Sequence, residues 1–124
     1  MLRALALALL VATSADASPR IHTTSAAGLQ DQERTLRAEL VRSLADVDLT
    51  VDASLVTLSE TIESGELLVT AEVRALVSDK RGAARWASTA RAAVRGAPRS
   101  RAQLRHDAVI EATRALATTI RARL

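Results

Sequence analysis

The 124-residue chain has no cysteine, a single aromatic residue in Trp86, 26 alanines and a formal net charge of +3. That length holds one domain and not two, and the missing cysteines exclude disulfides, a thiolate nucleophile and any Cys/His cluster for zinc or haem. With no Phe or Tyr to accompany its arginines, the chain also lacks the stacking platform that single-stranded nucleic acid needs.

The N-terminus reads as a secretory signal peptide. One cation in Met1-Leu2-Arg3 is followed by an unbroken apolar run, Ala4–Ala12, and then by Ala15-Asp16-Ala17 ahead of Ser18. Cleavage is expected after Ala17, with cleavage after Ala15 (Thr13 two positions earlier) as the alternative. A helix crossing the hydrocarbon core needs about 20 apolar residues, far more than this run supplies. With no cysteine there is no thiol to carry a lipid anchor either. The expected domain plan is therefore a signal peptide at 1–17, a flexible linker at 18–30 and one domain at 31–124. The product is expected to be periplasmic or secreted, with no membrane span after cleavage.

Ser18–Gly28, rich in Ser, Thr, Pro and small residues, reads as the linker. Leu29, Leu36, Leu40 and Leu44 then recur on one helical face, and Asp31 and Glu33 suit a helix N-terminus, which predicts a first helix over Asp31–Ala45. The period changes to two at Val47, Leu49, Val51, Ala53 and Leu55, the pattern of a half-buried strand. Its phase slips at Leu55-Val56, where a β-bulge is expected. Ser64-Gly65 supplies turn chemistry before a second alternation on Leu67, Val69, Ala71, Val73, Ala75 and Val77, and Asp79-Lys80-Arg81-Gly82 reads as a hairpin loop.

Ala83–Gly96 fits two patterns. As a helix, Trp86, Ala90, Ala93 and Val94 form a stripe. As a strand, Trp86, Ser88, Ala90, Ala92 and Val94 face inward, with Arg85, Arg91 and Arg95 outward. The preceding hairpin signal favours strand. After the break at Gly96-Ala97-Pro98, Ser100 and Gln103 suggest a capping box. A last helix carries Leu104, Ala108, Ala112, Leu116 and Ile120 at steps of four, joined by Val109. The expected fold is α+β, α-β-β-β-α: a three-stranded antiparallel meander with two helices packed on one face. No internal repeat is visible.

The net charge hides an asymmetry. Residues 31–79 hold eleven acids against four arginines, a balance of −7, whereas residues 80–124 hold eleven bases against Asp107 and Glu111, a balance of +9. The favoured reading is that the two halves fold onto each other; the alternative is a basic face for an anionic partner.

Catalytic chemistry finds little support. His22 lies in the expected linker, and His106 is adjacent to Asp107 on a helix, where neighbouring side chains diverge by about 100° and cannot orient each other. Asp46, Asp48 and Asp52 would share one face of the first strand. Same-face strand residues stand about 6.6–6.8 Å apart, too far for one hard cation to collect three carboxylates. The four glycines sit at segment boundaries, so no phosphate-cradling loop exists. Trp86 reads as the main core anchor rather than as a ligand platform.

Three stretches, LTVDASLVTL (Leu49–Leu58), LLVTAEVRALVSDKRG (Leu67–Gly82) and HDAVIEATRALATTI (His106–Ile120), resemble a tail domain of exported proteins of myxobacterial type, some of which carry HEAT repeats upstream. The resemblance covers about two thirds of the chain. It implies the α-β-β-β-α fold and export, and carries no chemistry.

The functional expectation is an exported, non-enzymatic binding or accessory module of the cell envelope, without catalytic residues, cofactor or metal. Its candidate partner surface is the outer sheet face, acidic at Asp48 and Asp52 and basic at Arg74, Arg85, Arg91 and Arg95. The expected partner is another protein, or a second copy that adds a strand to a sheet edge. The alternative is an anion-binding protein that turns its basic half to envelope polymers or extracellular DNA.

Overall fold

The computed structural model describes residues 19–79, 81–82 and 85–124; the expected signal peptide lies outside the described residues. Four strands and two helices follow in the order β1 (Arg20–Ser25), α1 (Gln30–Ser43), β2 (Leu49–Glu63), β3 (Glu66–Asp79), β4 (Arg85–Gly96) and α2 (Arg101–Ala122), with a short 3-10 turn at Pro98–Ser100 leading into α2. The class is α+β as expected, but the sheet is mixed and has four strands in the order β1-β2-β3-β4.

The additional strand is a correction to the expected linker. Arg20–Ser25 pairs in parallel with Thr50–Leu55 of β2, residue by residue. Ile21 is its one buried side chain, at 8% exposure. The β-branched residues Ile21, Thr23 and Thr24 suit a pleated edge, but a single apolar residue in six gives almost no alternation to read. Parallel neighbours need a crossover between them, and α1 provides it: the helix packs against β1 and β2.

β2, β3 and β4 form the expected antiparallel meander. The register of β2 against β3 shifts between Leu55 and Thr57, which places the bulge at Val56. The extra residue reverses the parity of the strand. Leu49, Val51, Ala53 and Leu55 face inward before it, and Leu58, Glu60 and Ile62 pair with inward-facing Ala71, Val69 and Leu67 after it.

Ser64 (φ 51°) and Gly65 (φ 79°) close the β2–β3 hairpin with two positive φ angles, as a type I′ turn requires. Serine carries a Cβ penalty there that asparagine offsets. Ser64→Asn is expected to stabilise the protein by about 0.5–1 kcal/mol, read as a raised urea midpoint at unchanged slope; a lowered midpoint would contradict the turn assignment.

β4 settles the ambiguous stretch as strand. Alanine favours helix, but Leu67–Ser78 of β3 pairs with every residue of Arg85–Gly96, and the ladder outweighs that propensity. Trp86 is only half-buried, at the margin of the core rather than at its centre. Its indole Nε1 finds no hydrogen-bond partner among the described residues, while Arg123 lies 5.8 Å from the ring centroid. Gly96 ends β4 where α2 begins: a Cβ there would stand 2.9 Å from Leu104 Cδ2, so glycine permits the helix to close onto the sheet.

The expected capping box does not form. Ser100 stands at the N-cap without a side-chain cap bond, and Gln103 Nε2 instead donates to Asp107 Oδ1 at 2.7 Å. The Pro98–Ser100 turn has already set the entry to the helix, with Ser100 N–H donating to the Ala97 carbonyl at 2.9 Å.

Both helices cover one face of the sheet, α1 over β1 and β2, α2 over β3 and β4. Leu36, Leu40 and Leu44 from the α1 segment, Val109, Leu116 and Ile120 from α2, and Val51, Leu55, Val69, Val73 and Val77 from the sheet are all fully buried between the layers. The other face of the sheet is left open.

Candidate functional site

That open face is built by the outward residues of all four strands, and register fixes which of them meet. Arg20, Thr50, Ser78 and Arg85 form one row across the sheet; His22, Asp52, Leu76 and Ala87 the next; Thr24, Ser54, Arg74 and Thr89 the third. Beyond the bulge, Thr57, Glu72 and Arg91 align. Hydroxyls dominate the β2 side, and Thr24 and Ser54 share a 2.8 Å hydrogen bond across β1 and β2. Leu76 stands exposed among these polar rows, at 44%. A shallow hollow forms there, lined by Asp52, Ser54, Arg74 and Leu76 among others.

Of the sequence-predicted surface residues, Asp52, Arg74, Arg85, Arg91 and Arg95 all lie on this face and all are exposed. Asp48 is exposed just ahead of β2 rather than within it. In the ion pairs of Arg74, Arg91 and Arg95, the acidic and basic residues of that predicted surface do not pair with one another. Arg74 and Arg91 do not pair with Asp52: both turn to Glu72, a carboxylate the sequence reading missed, with Arg74 Nη2 at 3.3 Å and Arg91 Nε at 3.9 Å. Arg95 Nη2 reaches Glu63 Oε2 at 3.1 Å across the hairpin. The face is therefore a mosaic of partly neutralised arginines, with Arg85 finding no acid within 4.0 Å among the described residues. Glu72 was legible in the sequence by parity alone, since it shares the outward phase of Arg74.

Asp46 leaves the acidic row altogether. It sits in the turn after α1, where the Arg121 guanidinium binds it and also donates to the Ser43 carbonyl, from Nε at 3.1 Å and Nη2 at 2.7 Å. One arginine of α2 thus satisfies the exposed C-terminal end of α1. Glu39, 6% exposed, takes Arg114 Nε at 2.8 Å. Glu60, turned inward by the bulge, takes Arg101 Nη2 at 2.6 Å and Arg105 Nη1 at 3.3 Å. With the Glu63–Arg95 and Glu72–Arg91 pairs, the acidic and basic halves of the sequence are joined at five places, which supports the reading that they fold onto each other.

These pairs set the acid response. The hydrogen bond from Arg121, helped by one from its own backbone, holds Asp46 below the usual carboxylate range, and the bond from Arg101, with Arg105 beside it, does the same for Glu60. A carboxyl whose folded pKa is depressed contributes stability that is present above its unfolded value and lost as pH falls through the folded one. The urea midpoint is therefore expected to hold from neutral pH to about pH 5 and to fall below about pH 4. Glu60→Gln should flatten that fall, and an unchanged acid limb in this variant would refute the assignment.

No catalytic arrangement emerges among the described residues. His106 Nδ1 lies 3.4 Å from Thr35 Oγ1 on an exposed surface, longer than the 2.6–3.2 Å or so of a nucleophile–base pair, and Asp107 is engaged by Gln103 rather than orienting the ring. His22 is exposed on β1. No three His, Cys, Asp or Glu side chains among the described residues are placed to hold a metal ion, and no described helix is long and apolar enough to cross a membrane.

No protein-family model matches the chain, and no curated protein matches it. Solved structures do. A Caulobacter crescentus protein classed as a lipoprotein is similar over 83% of this chain and 85% of its own, at 16% identity and a TM-score of 0.53. PelC of Paraburkholderia phytofirmans, a dodecamer, is similar over 82% and 87%, at 12% identity and 0.51. The rare lipoprotein B of Shewanella oneidensis is similar over 84% and 95%, at 14% identity and 0.50. At these identities the likeness is one of fold.

Proposed function

We propose that the protein is an exported, non-catalytic accessory module of the bacterial cell envelope that binds its partner through the open face and free edge of its sheet. The observation that carries this reading is the uncovered sheet face itself. All four strands are buried on one side under the helices, and on the other they present Asp52, Arg74, Arg85, Arg91 and Arg95 around exposed Leu76. Two of the structural neighbours are lipoproteins and a third assembles as a dodecamer, which supports an envelope setting and a partner that is either a protein or further copies of the chain. The twelve residues of β4 form one outer edge of the sheet, and their unpaired backbone groups can accept a strand. Glu72 and Glu63 neutralise much of the arginine set on this face, which weighs against a purely electrostatic anion binder there.

Expression of the full-length chain in a Gram-negative host tests the reading. A product recovered from periplasm or medium with the mass of residues 18–124 is expected; a full-length cytoplasmic product overturns it. For the assembly component, sedimentation at tens of micromolar should show association that a proline placed in β4 at Ala93 removes; a strict monomer would eliminate the second-copy partner.

A further inference from the structure

The helical layer has a second feature on the side of the molecule opposite the sheet face. α1 and α2 lie side by side and run in the same direction: Thr35 meets His106, Glu39 meets Arg114, and Ser43 meets Arg121. Along the first two of these rungs runs a groove. Its walls are Arg34, Thr35 and Arg42 on α1 and His106 and Arg114 on α2, with Ala38 and Ile110 between them. The single carboxylate lining it, Glu39, is nearly buried and already held by Arg114.

The charge left over is specific. Arg114 and Glu39 neutralise each other, and Arg114 also reaches Glu111 at 3.6 Å. Arg42 has no acid within 4.0 Å among the described residues, and Arg34 has only Asp31 on its own helix, at 3.8 Å with both side chains more than four-fifths exposed. Such a pair contributes little. Two guanidinium groups therefore remain for a ligand, eight residues apart, about 12 Å along the helix axis. That is a gap two arginine side chains can close from either end. Between them stand a threonine hydroxyl and an imidazole, both able to donate a hydrogen bond.

We infer that the groove between α1 and α2 is a binding site for a phosphate group, held by Arg34 and Arg42 with Thr35 and His106 as hydrogen-bond donors. The two positive charges, one without an acid within 4.0 Å among the described residues and one with only an exposed, weak pair to Asp31, match the −1.5 to −2 or so of a phosphomonoester near neutral pH. The planar guanidinium fork fits phosphate oxygens in pairs. The phosphate belongs either to a free small molecule or to a lipid headgroup. The site shares no residue with the sheet face and stands or falls independently of the function proposed above.

The test is an NMR titration of the full isotope-labelled chain with inorganic phosphate at low ionic strength. Saturable shifts are expected at amides of residues 34–42 and 106–114, with the β4 amides of Arg85, Arg91 and Arg95 unmoved. The pair Arg34→Gln and Arg42→Gln should weaken binding at least tenfold at unchanged melting temperature. Arg37→Gln, an exposed arginine of the same helix that does not line the groove, should leave it unchanged. A parallel sedimentation with phosphatidylglycerol vesicles, against phosphatidylcholine vesicles, separates the sources. Binding lost in the double variant assigns a headgroup; phosphate binding without vesicle binding assigns a free ligand. Shifts spread over every exposed arginine, equal weakening by Arg37→Gln, or no saturation by phosphate would overturn the site.

Discussion

A chain that begins at Ala26 is expected to melt at least 10 °C below one that begins at Ser18, and to associate as its concentration rises. The two differ by residues 18–25, all within the expected linker, of which the structure assigns Arg20–Ser25 to β1. If that segment were a linker, removing it would cost nothing. As a strand it pairs from Arg20↔Thr50 to Ser25↔Leu55, buries Ile21, and receives α1, with Thr23 Oγ1 donating to Glu33 Oε2 at 3.2 Å. Full burial of one isoleucine contributes about 1.5–3 kcal/mol, and each ladder hydrogen bond a net 0.5–1.5 kcal/mol or so. The backbone freedom regained by the deleted residues offsets part of this. A net loss of about 3 kcal/mol is a large share of a total of roughly 5–15 kcal/mol; at about 4–8 °C per kcal/mol for a domain of this size, it gives the stated shift. Association follows because β2 becomes an edge whose inner face carries Leu49, Val51 and Leu55. Differential scanning calorimetry of the two chains decides the matter, and coincident melts would mean that β1 adds no stability.

The same segment shows where the sequence was legible and where it was not. Every inward position of β2 before the bulge, of β3 and of the α2 stripe follows from periodicity, because each has four or more apolar residues in phase and a single buried face to serve. The bulge at Val56 is readable for the same reason: it interrupts a long pattern. β1 offers one apolar residue, and its partner strand lies 30 residues away, so nothing local reports the pairing. Most ion-pair choices are equally non-local: Glu39 meets Arg114 across 75 residues and Glu60 meets Arg101 across 41, whereas Glu72 stands two residues from Arg74 on the same strand and is readable from parity alone. The α1–α2 groove was invisible in the sequence because Arg34, Arg42 and His106 belong to elements 71 and more residues apart at their contact, and no period within either helix marks them.

Leu116→Ala is expected to cost about 3–5 kcal/mol, a larger loss than in an aromatic-rich core of the same size. Deleting a buried leucine removes its transfer free energy and leaves a cavity whose cost depends on how far the surroundings collapse. Leu116 is fully buried on α2, and the residues one turn away on its stripe, Ala112 and Ile120, are fully buried too. The sheet layer it faces is built largely of valine and alanine: Val69, Ala71, Val73 and Ala75 on β3, with Ala90 on β4. Alanine has no side-chain torsion to move, and valine is stiff at χ1, so the hole stays open. Nor can any Phe or Tyr swing in, since the chain has neither. With total stability of about 5–15 kcal/mol, the variant should lie close to its unfolding threshold at 37 °C. Leu76→Ala, on the open sheet face at 44% exposure, is the matched control and should change stability by less than about 0.5 kcal/mol. Urea titrations of the two variants give both numbers. A Leu116→Ala loss below about 1.5 kcal/mol would mean that α2 settles into the vacated space, and the account of a stiff, small-residue core would have to be abandoned.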